Sequence, residues 1–418
     1  MTSACPTRSS ARAATAGCAV ATVSRYPRPV RVLIAPDSFG STLGPVQTAA
    51  AMAQGWATGA PHDDLRTLPL SDGGPGFLDV VQRAVGGDTV ATTVSDPLGR
   101  EVPAAVLLVD GTGGRRTAYV EAAQATGMHL LGADERDPGI TSTWGVGQLL
   151  ETAVAEGATR VVVGVGGGST NDGGAGMLAA LGAGPASALA RGGLALADLS
   201  DDALLGVPSV VDRLSGVELV LATDEETPLL GLQGTSAVDA PGKGATASQA
   251  QALEAAVGRF VDVLSRALPA PPTDLLTGRP RRLEREPGAG AAGGLGYALL
   301  ALGAHPVGAV AEVLRVTGFE VAAAGSDLVV TATGRLDWTS VRGSVVSGVA
   351  EATLATGRPT VLVAGECLVG RRETMTMGLA GCYVVADHPR DLDAMVADPV
   401  ATLTARTARV ARTWSPAR

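Results

Sequence analysis

Three glycine-rich stretches each sit at a junction of predicted elements: Ser71-Asp72-Gly73-Gly74-Pro75-Gly76, Gly164 through Gly176 (GVGGGSTNDGGAG), and Pro287 through Gly296 (PGAGAAGGLG). The first two follow apolar strand runs at 65–70 and 160–165, and helical patterns come after them. Strand, glycine loop and helix in that order build layered α/β sheets, whose ligands bind at the carboxyl ends of the strands. Glycine lets backbone approach an anion closely, and N–H groups at a helix start favour negative charge.

The same grammar begins earlier. Val30 to Ala35 reads as a buried strand, Pro36 to Gly40 as its loop, and Pro45 to Thr58 as a helix with proline in its first turn. From about 88 to 122 the pattern changes to short alternating strands joined by Asp96-Pro97-Leu98-Gly99 and Gly111 to Gly114, which predicts antiparallel pairing. Further strands fit 218–222, 327–331 and 360–364, an amphipathic helix fits 249–267, and one terminal helix fits 392–410. Residues 269–286, with four prolines, read as a connector. At 418 residues the expected division is a discontinuous doubly wound α/β domain of 30–90 plus 285–415, flavodoxin- or Rossmann-like, with a mixed-sheet α/β domain of 91–284 inserted.

Aromatic residues are only 3% of a chain that is 46% hydrophobic, so its cores are built from Ala, Val and Leu. The net charge is -9, and because residues 1–31 hold five arginines and no acid, the rest carries -14. Such a body repels nucleic acid and anionic membrane and suits small molecules with a divalent cation. Cys5, Cys18, Cys367 and Cys382 show no metal-ligand spacing, which fits a reducing cytoplasm, and no apolar run reaches membrane-spanning length. Residues 1–29 read as a disordered extension with only a weak likeness to a leader. A homodimer is compatible with the sequence, which has no feature that demands one.

Asp37, Asp72 and Asp172 each stand in a loop behind a predicted strand, and would converge on one rim if those strands are neighbours. Ser38, Gly73, Gly74, Gly167, Gly168, Ser169, Thr170 and Asn171 supply hydroxyl, amide and backbone groups for phosphate beside them, and Gly290, Gly293 and Gly294 do so in the third stretch. A carboxylate among phosphate ligands calls for magnesium, which bridges the two. The alternative is structural: Asp172 caps the following helix, and Asp37 and Asp72 shape turns. Arg335 and Asp337 form a fourth such loop, or a local surface ion pair. Lys243, the one lysine of the chain, lies between glycines, without the Walker pattern. His62, His129, His305 and His388 show neither triad nor metal spacing.

Together these segments resemble the bacterial-type glycerate kinase family, in order across roughly residues 30–390. APDSFGSTL, LSDGGPG, VGGGSTNDGGAGML, PLLGLQGTSAV, PGKGAT, PGAGAAGGLG and ATGRLDWTSVRG carry the likeness. It implies two α/β domains with the active site in the cleft, and ATP-dependent phosphorylation of glycerate using Mg2+. On that reading Asp172, with Asp37 or Asp72, binds metal or acts as base, Asp72 and Asp172 being the metal candidates; Lys243 and Arg335 contact anions. The chain departs from the family pattern at Gly40, Pro75, Thr333 and Ser344, where charged residues are usual, and at Thr227, where asparagine is usual. A catalytically silent relative that binds nucleotide or an organic acid, and a kinase acting on another small hydroxy acid, are the alternatives.

Overall fold

The computed structural model describes residues 1, 29–269, 278, 281–338, 340–341 and 343–416. Residues 2–28 of the extension read at 1–29, and much of the 269–286 connector, lie outside the described residues.

Two sheets organise the chain. The first contains β1 (Arg31–Ile34), β2 (Asp64–Thr67), β9 (Leu328–Leu336), β10 (Thr360–Cys367) and β11 (Leu379–Val384), in the order β11-β10-β9-β1-β2 and wholly parallel. The second contains β3 (Asp88–Ser95), β4 (Glu101–Asp110), β5 (Arg116–Glu121), β6 (Arg160–Gly164), β7 (Glu218–Ala222) and β8 (His305–Val307), in sequential order. In it β3, β4 and β5 pair antiparallel, as the alternating pattern predicts, and β5 to β8 pair parallel.

The first sheet is covered on both faces, which requires its strands to be apolar on both. Val32, Ile34, Val330, Val361 and Val363 pack against helices Pro45–Gly59 and Pro399–Trp414, whereas Leu33 and Val329 face Val345–Thr356 and the second sheet. At about 25 cal/mol per Å² of apolar area, such layers carry most of the stabilisation. Helix Pro45–Gly59 meets Pro399–Trp414 so closely that a Cβ on Gly55 would collide with the Thr404 carbonyl. Helices Phe77–Val85 and Ala309–Thr317 lie between the sheets, and one apolar cluster runs from Leu33 and Val329 through Phe77 and Val313 to Val162 and Val220. The sheets are thereby packed into one body.

Several boundaries differ from the sequence reading. The terminal helix is two, Pro389–Ala397 and Pro399–Trp414: Pro399 cannot continue the preceding turn, and Asp398 caps the second helix by accepting from Ala401 N at 3.0 Å. β9 and β10 extend past their apolar runs, pairing Arg335 with Glu366. β8 and β11 are short or half-exposed and lack a strong strand signal. Among the described residues, no helix is long and apolar enough to cross a membrane.

Candidate active site

In the first sheet the connection β1 to β2 runs one way and β9 to β10 to β11 the other, so the strand order reverses between β1 and β9. Such a switch point opens a crevice at the carboxyl ends of the two strands. Asp37 stands there. Its N–H donates to the Ala332 carbonyl at 3.0 Å, and its carboxylate accepts from Ser38 N at 2.7 Å. Across the crevice Gly334 lies against the backbone of Gly40, and Arg335 pairs with Asp337 at 3.2 Å, the local ion pair that spacing allows.

The loop Ser71–Gly76 bridges the sheets. Leu70 N binds the Pro36 carbonyl at 2.9 Å, and Gly73, at φ +92°, packs tightly on Gly164 and the Ala222 carbonyl in a backbone conformation that larger residues rarely adopt. Asp72 is exposed at the tip, with Oδ1 accepting from Gly74 N at 3.0 Å, while Ser71 Oγ accepts from Gly73 N at 3.1 Å. Both amides that the sequence offers to phosphate are therefore already bonded within the loop.

Asp224, directly behind β7, faces the same space. Burial raises its carboxyl to about 6; Asp72 adds to the rise, and the Val310 N–H opposes it. Asp37 is held well above the ordinary carboxylate range, by burial first and then by Asp72. Asp72 thus acts on two carboxylates, Asp37 behind a strand of the first sheet and Asp224 behind a strand of the second. Asp224 is a residue that the sequence reading passes over, although Thr223-Asp224-Glu225-Glu226 follows its strand just as Asp37 follows β1.

The second and third glycine stretches are used differently. Gly173 N donates to the Gly293 carbonyl at 3.0 Å, and Gly290 N to Thr227 O at 2.9 Å. Gly293 has φ +72°, and a Cβ there would collide with the Thr170 carbonyl. Gly293 and Gly294 are buried in this contact, so these glycines serve backbone packing between two loops. Ser169, Thr170, Asn171 and Asp172 are buried as well. Ser169 Oγ donates to Thr126 O at 2.9 Å, and Asn171 Nδ2 to Ser236 Oγ at 3.0 Å; among the described residues Asn171 Oδ1 has no partner. Gly167 accepts from Met128 N at 3.0 Å, and Gly168 bridges to Gly127.

Lys243 is buried beneath this loop and donates to the Thr170 carbonyl at 2.9 Å. Burial lowers its pKa, and Asp239, Glu225 and Asp172 counter that. Asp172 accepts four hydrogen bonds: Thr143 N at 2.8 Å, Thr143 Oγ1 at 2.9 Å, Gly174 N at 3.0 Å and Gly176 N at 3.2 Å. This is the capping geometry, extended to a second helix through Thr143. Asp72 is brought near both Asp37 and Asp224; Asp172 lies behind the glycine loop, facing inward.

A cavity of about 590 Å³ adjoins the switch point, lined by Ser38, Gly40, Thr42, Gly76, Glu121 and His129 among others. Glu121 ends β5 and sits over the start of helix Phe77–Val85, accepting from Leu78 N at 3.1 Å. The helix start after the first glycine loop thus holds a carboxylate of the protein itself. Burial, opposed by those backbone N–H groups, raises Glu121 from an ordinary 4.5 to about 7. Folding therefore favours the protonated form: the stabilising contribution is complete below about pH 4.5 and is lost as pH rises through 7. Glu121→Gln is expected to flatten this slope and to gain up to about 3 kcal/mol over the natural protein at pH 8. Urea unfolding midpoints at pH 5, 6, 7 and 8 read the difference; parallel slopes for the two proteins would refute it.

The family model described as the glycerate kinase family matches residues 32–415. The glycerate kinase of Bacillus subtilis strain 168 is 38% identical over 343 residues, covering 81% of this chain and 85% of that protein. The glycerate 2-kinase of Escherichia coli K12 is 34% identical over 342 residues, covering 81% and 85%. A crystal structure described as "putative glycerate kinase 2 from Salmonella typhimurium LT2" superposes with a TM-score of 0.68 at 32% identity, covering 92% of this chain and 98% of that one.

Proposed function

Because the chain belongs to the glycerate kinase family, we propose that it phosphorylates D-glycerate from ATP, at the crevice where the two sheets meet, as a cytoplasmic enzyme. The observation that carries this reading is that Asp72, on the loop joining the two sheets, acts on both Asp37 at the switch point and Asp224 behind β7. Phosphoryl transfer needs positioned reactants and neutralised charge more than covalent help. Sheet membership supports a division into an outer domain and a second domain that takes up about 88–307, the reaction lying between them.

The donor set fits magnesium. It consists of oxygen ligands, and among the described residues no group of three or more His, Cys, Asp or Glu could hold a metal ion by itself. Mg²⁺ ordinarily keeps waters and takes one or two carboxylates plus substrate phosphates, so a full protein cage is not required. Asp72 and Asp224 would hold the ion, whose chemistry when bound is to neutralise phosphate charge. Asp37 is assigned as acceptor of the proton from the substrate hydroxyl as that oxygen bonds to the γ-phosphorus and the bond to ADP breaks. Arg335, exposed at the end of β9, is the cation for phosphate. Lys243 and Asp172 act through the glycine loop they hold: one anchors Thr170, the other the turn after it.

The test is ADP release with D-glycerate, ATP and Mg²⁺. Turnover is expected, and is expected to vanish on chelation with EDTA and return with added Mg²⁺. Absence of glycerate-dependent ADP release from folded protein would overturn the assignment.

A further inference from the structure

The cavity beside the switch point has one wall from the first sheet and one from the second. Ser38 and Thr42 stand on the first, and Glu121 and His129 on the second. Only Glu121 and His129 are titratable among the described residues that line it, so His129 is the one group there able to carry positive charge. Around it the body of the protein is strongly negative, and an anionic substrate entering such a field needs a donor that answers its charge.

The backbone beside His129 is fixed, while its side chain is exposed to the cavity. Its segment is zipped to the second glycine stretch by Met128 N to Gly167 O at 3.0 Å and Ser169 N to Thr126 O at 2.7 Å. The imidazole lies over Gly127, where any Cβ would collide with the ring, so the absence of a side chain at 127 makes its place. Its titratable neighbour in the cavity, Glu121, is committed to the Leu78 N–H. Partial burial lowers the His129 pKa, and an anion beside the ring acts in the opposite direction, favouring the cation.

Resting on the glycerate kinase reading, we infer that this cavity is the acceptor site and that His129 receives the carboxylate of the hydroxy acid. Its carboxylate end is then anchored on the second sheet, with the hydroxyl end turned to Ser38 and Asp37 at the crevice. Specificity for an acid over a neutral polyol follows from that one donor.

His129→Gln and His129→Lys test the assignment, with initial rates measured at pH 6.5 for D-glycerate and binding of its neutral amide measured as competition. The glutamine variant is expected to raise KM for glycerate about 10-fold, the effect of losing one charge-assisted hydrogen bond. Its kcat and its KM for ATP are expected to stay within about twofold. Affinity for the amide should not change, and lysine should restore KM to within about threefold of the natural protein. An unchanged KM in His129→Gln, equal weakening toward acid and amide, or a lysine variant as weak as the glutamine one would each overturn the inference while leaving the kinase reading intact. Failure of the natural protein to turn over glycerate would instead overturn the kinase reading, and this inference with it.

Discussion

Asp72→Asn is expected to lower kcat about 1,000-fold, the scale seen when one charged group is removed from a phosphoryl-transfer site. The unfolding free energy should stay within about 0.5 kcal/mol. The two expectations separate because Asp72 is exposed and makes a single local bond, from Gly74 N to Oδ1, which asparagine can also accept. What the substitution removes is the charge that acts on both Asp37 and Asp224. Kinetics as a function of Mg²⁺ at saturating ATP, with urea unfolding of the same preparation, read both. A folded variant within tenfold of natural turnover, with the same Mg²⁺ dependence, would show that Asp72 does not hold the metal.

Asp172→Ala should behave in the opposite way, losing about 3–5 kcal/mol of stability. Removing this carboxylate strands four buried donors at once, two from Thr143 and two from the turn of Gly174 and Gly176. Thr143 also accepts from Met177 N at 2.9 Å, so the substitution weakens the tie between the start of helix Ala175–Ala180 and helix Trp144–Ala155, leaving that one bond of it. Denaturant unfolding measures the loss directly. If Asp172→Ala were as stable as the natural protein and inactive, with altered Mg²⁺ dependence, a metal role for Asp172 would replace the structural one.

Much of the fold is legible along the chain. Within the runs at 30–35, 160–165 and 218–222, residues 32–35, 161–165 and 219–222 are buried because both faces of their sheets are covered, and an unbroken apolar run is the signature of that position. Turn chemistry at Asp96-Pro97-Leu98-Gly99 marks the antiparallel β3–β4 hairpin. β8 and β11 escape because neither is fully buried, and a half-exposed parallel strand leaves no clean period. The split at Asp398-Pro399 was readable from proline chemistry, but the helical period continues across it.

The candidate site divides along the same line. Sequence by itself determined that Asp37, Asp72, Asp172 and Asp224 each follow a strand or its loop, because strand, turn and cap are decided by neighbours within a few residues. Which of them share a crevice was decided only by the tertiary structure. The order β11-β10-β9-β1-β2 sets the switch point beside Asp37, and the packing of Gly73 on Gly164 carries Asp72 to Asp224. The same holds for the glycines. Local sequence makes a loop able to approach something closely, yet whether that is a ligand, as the position of Asp72 suggests, or another loop, as between Gly293 and Thr170, depends on contacts between residues more than a hundred positions apart. Close approach is a property of the loop, and its partner is a property of the fold.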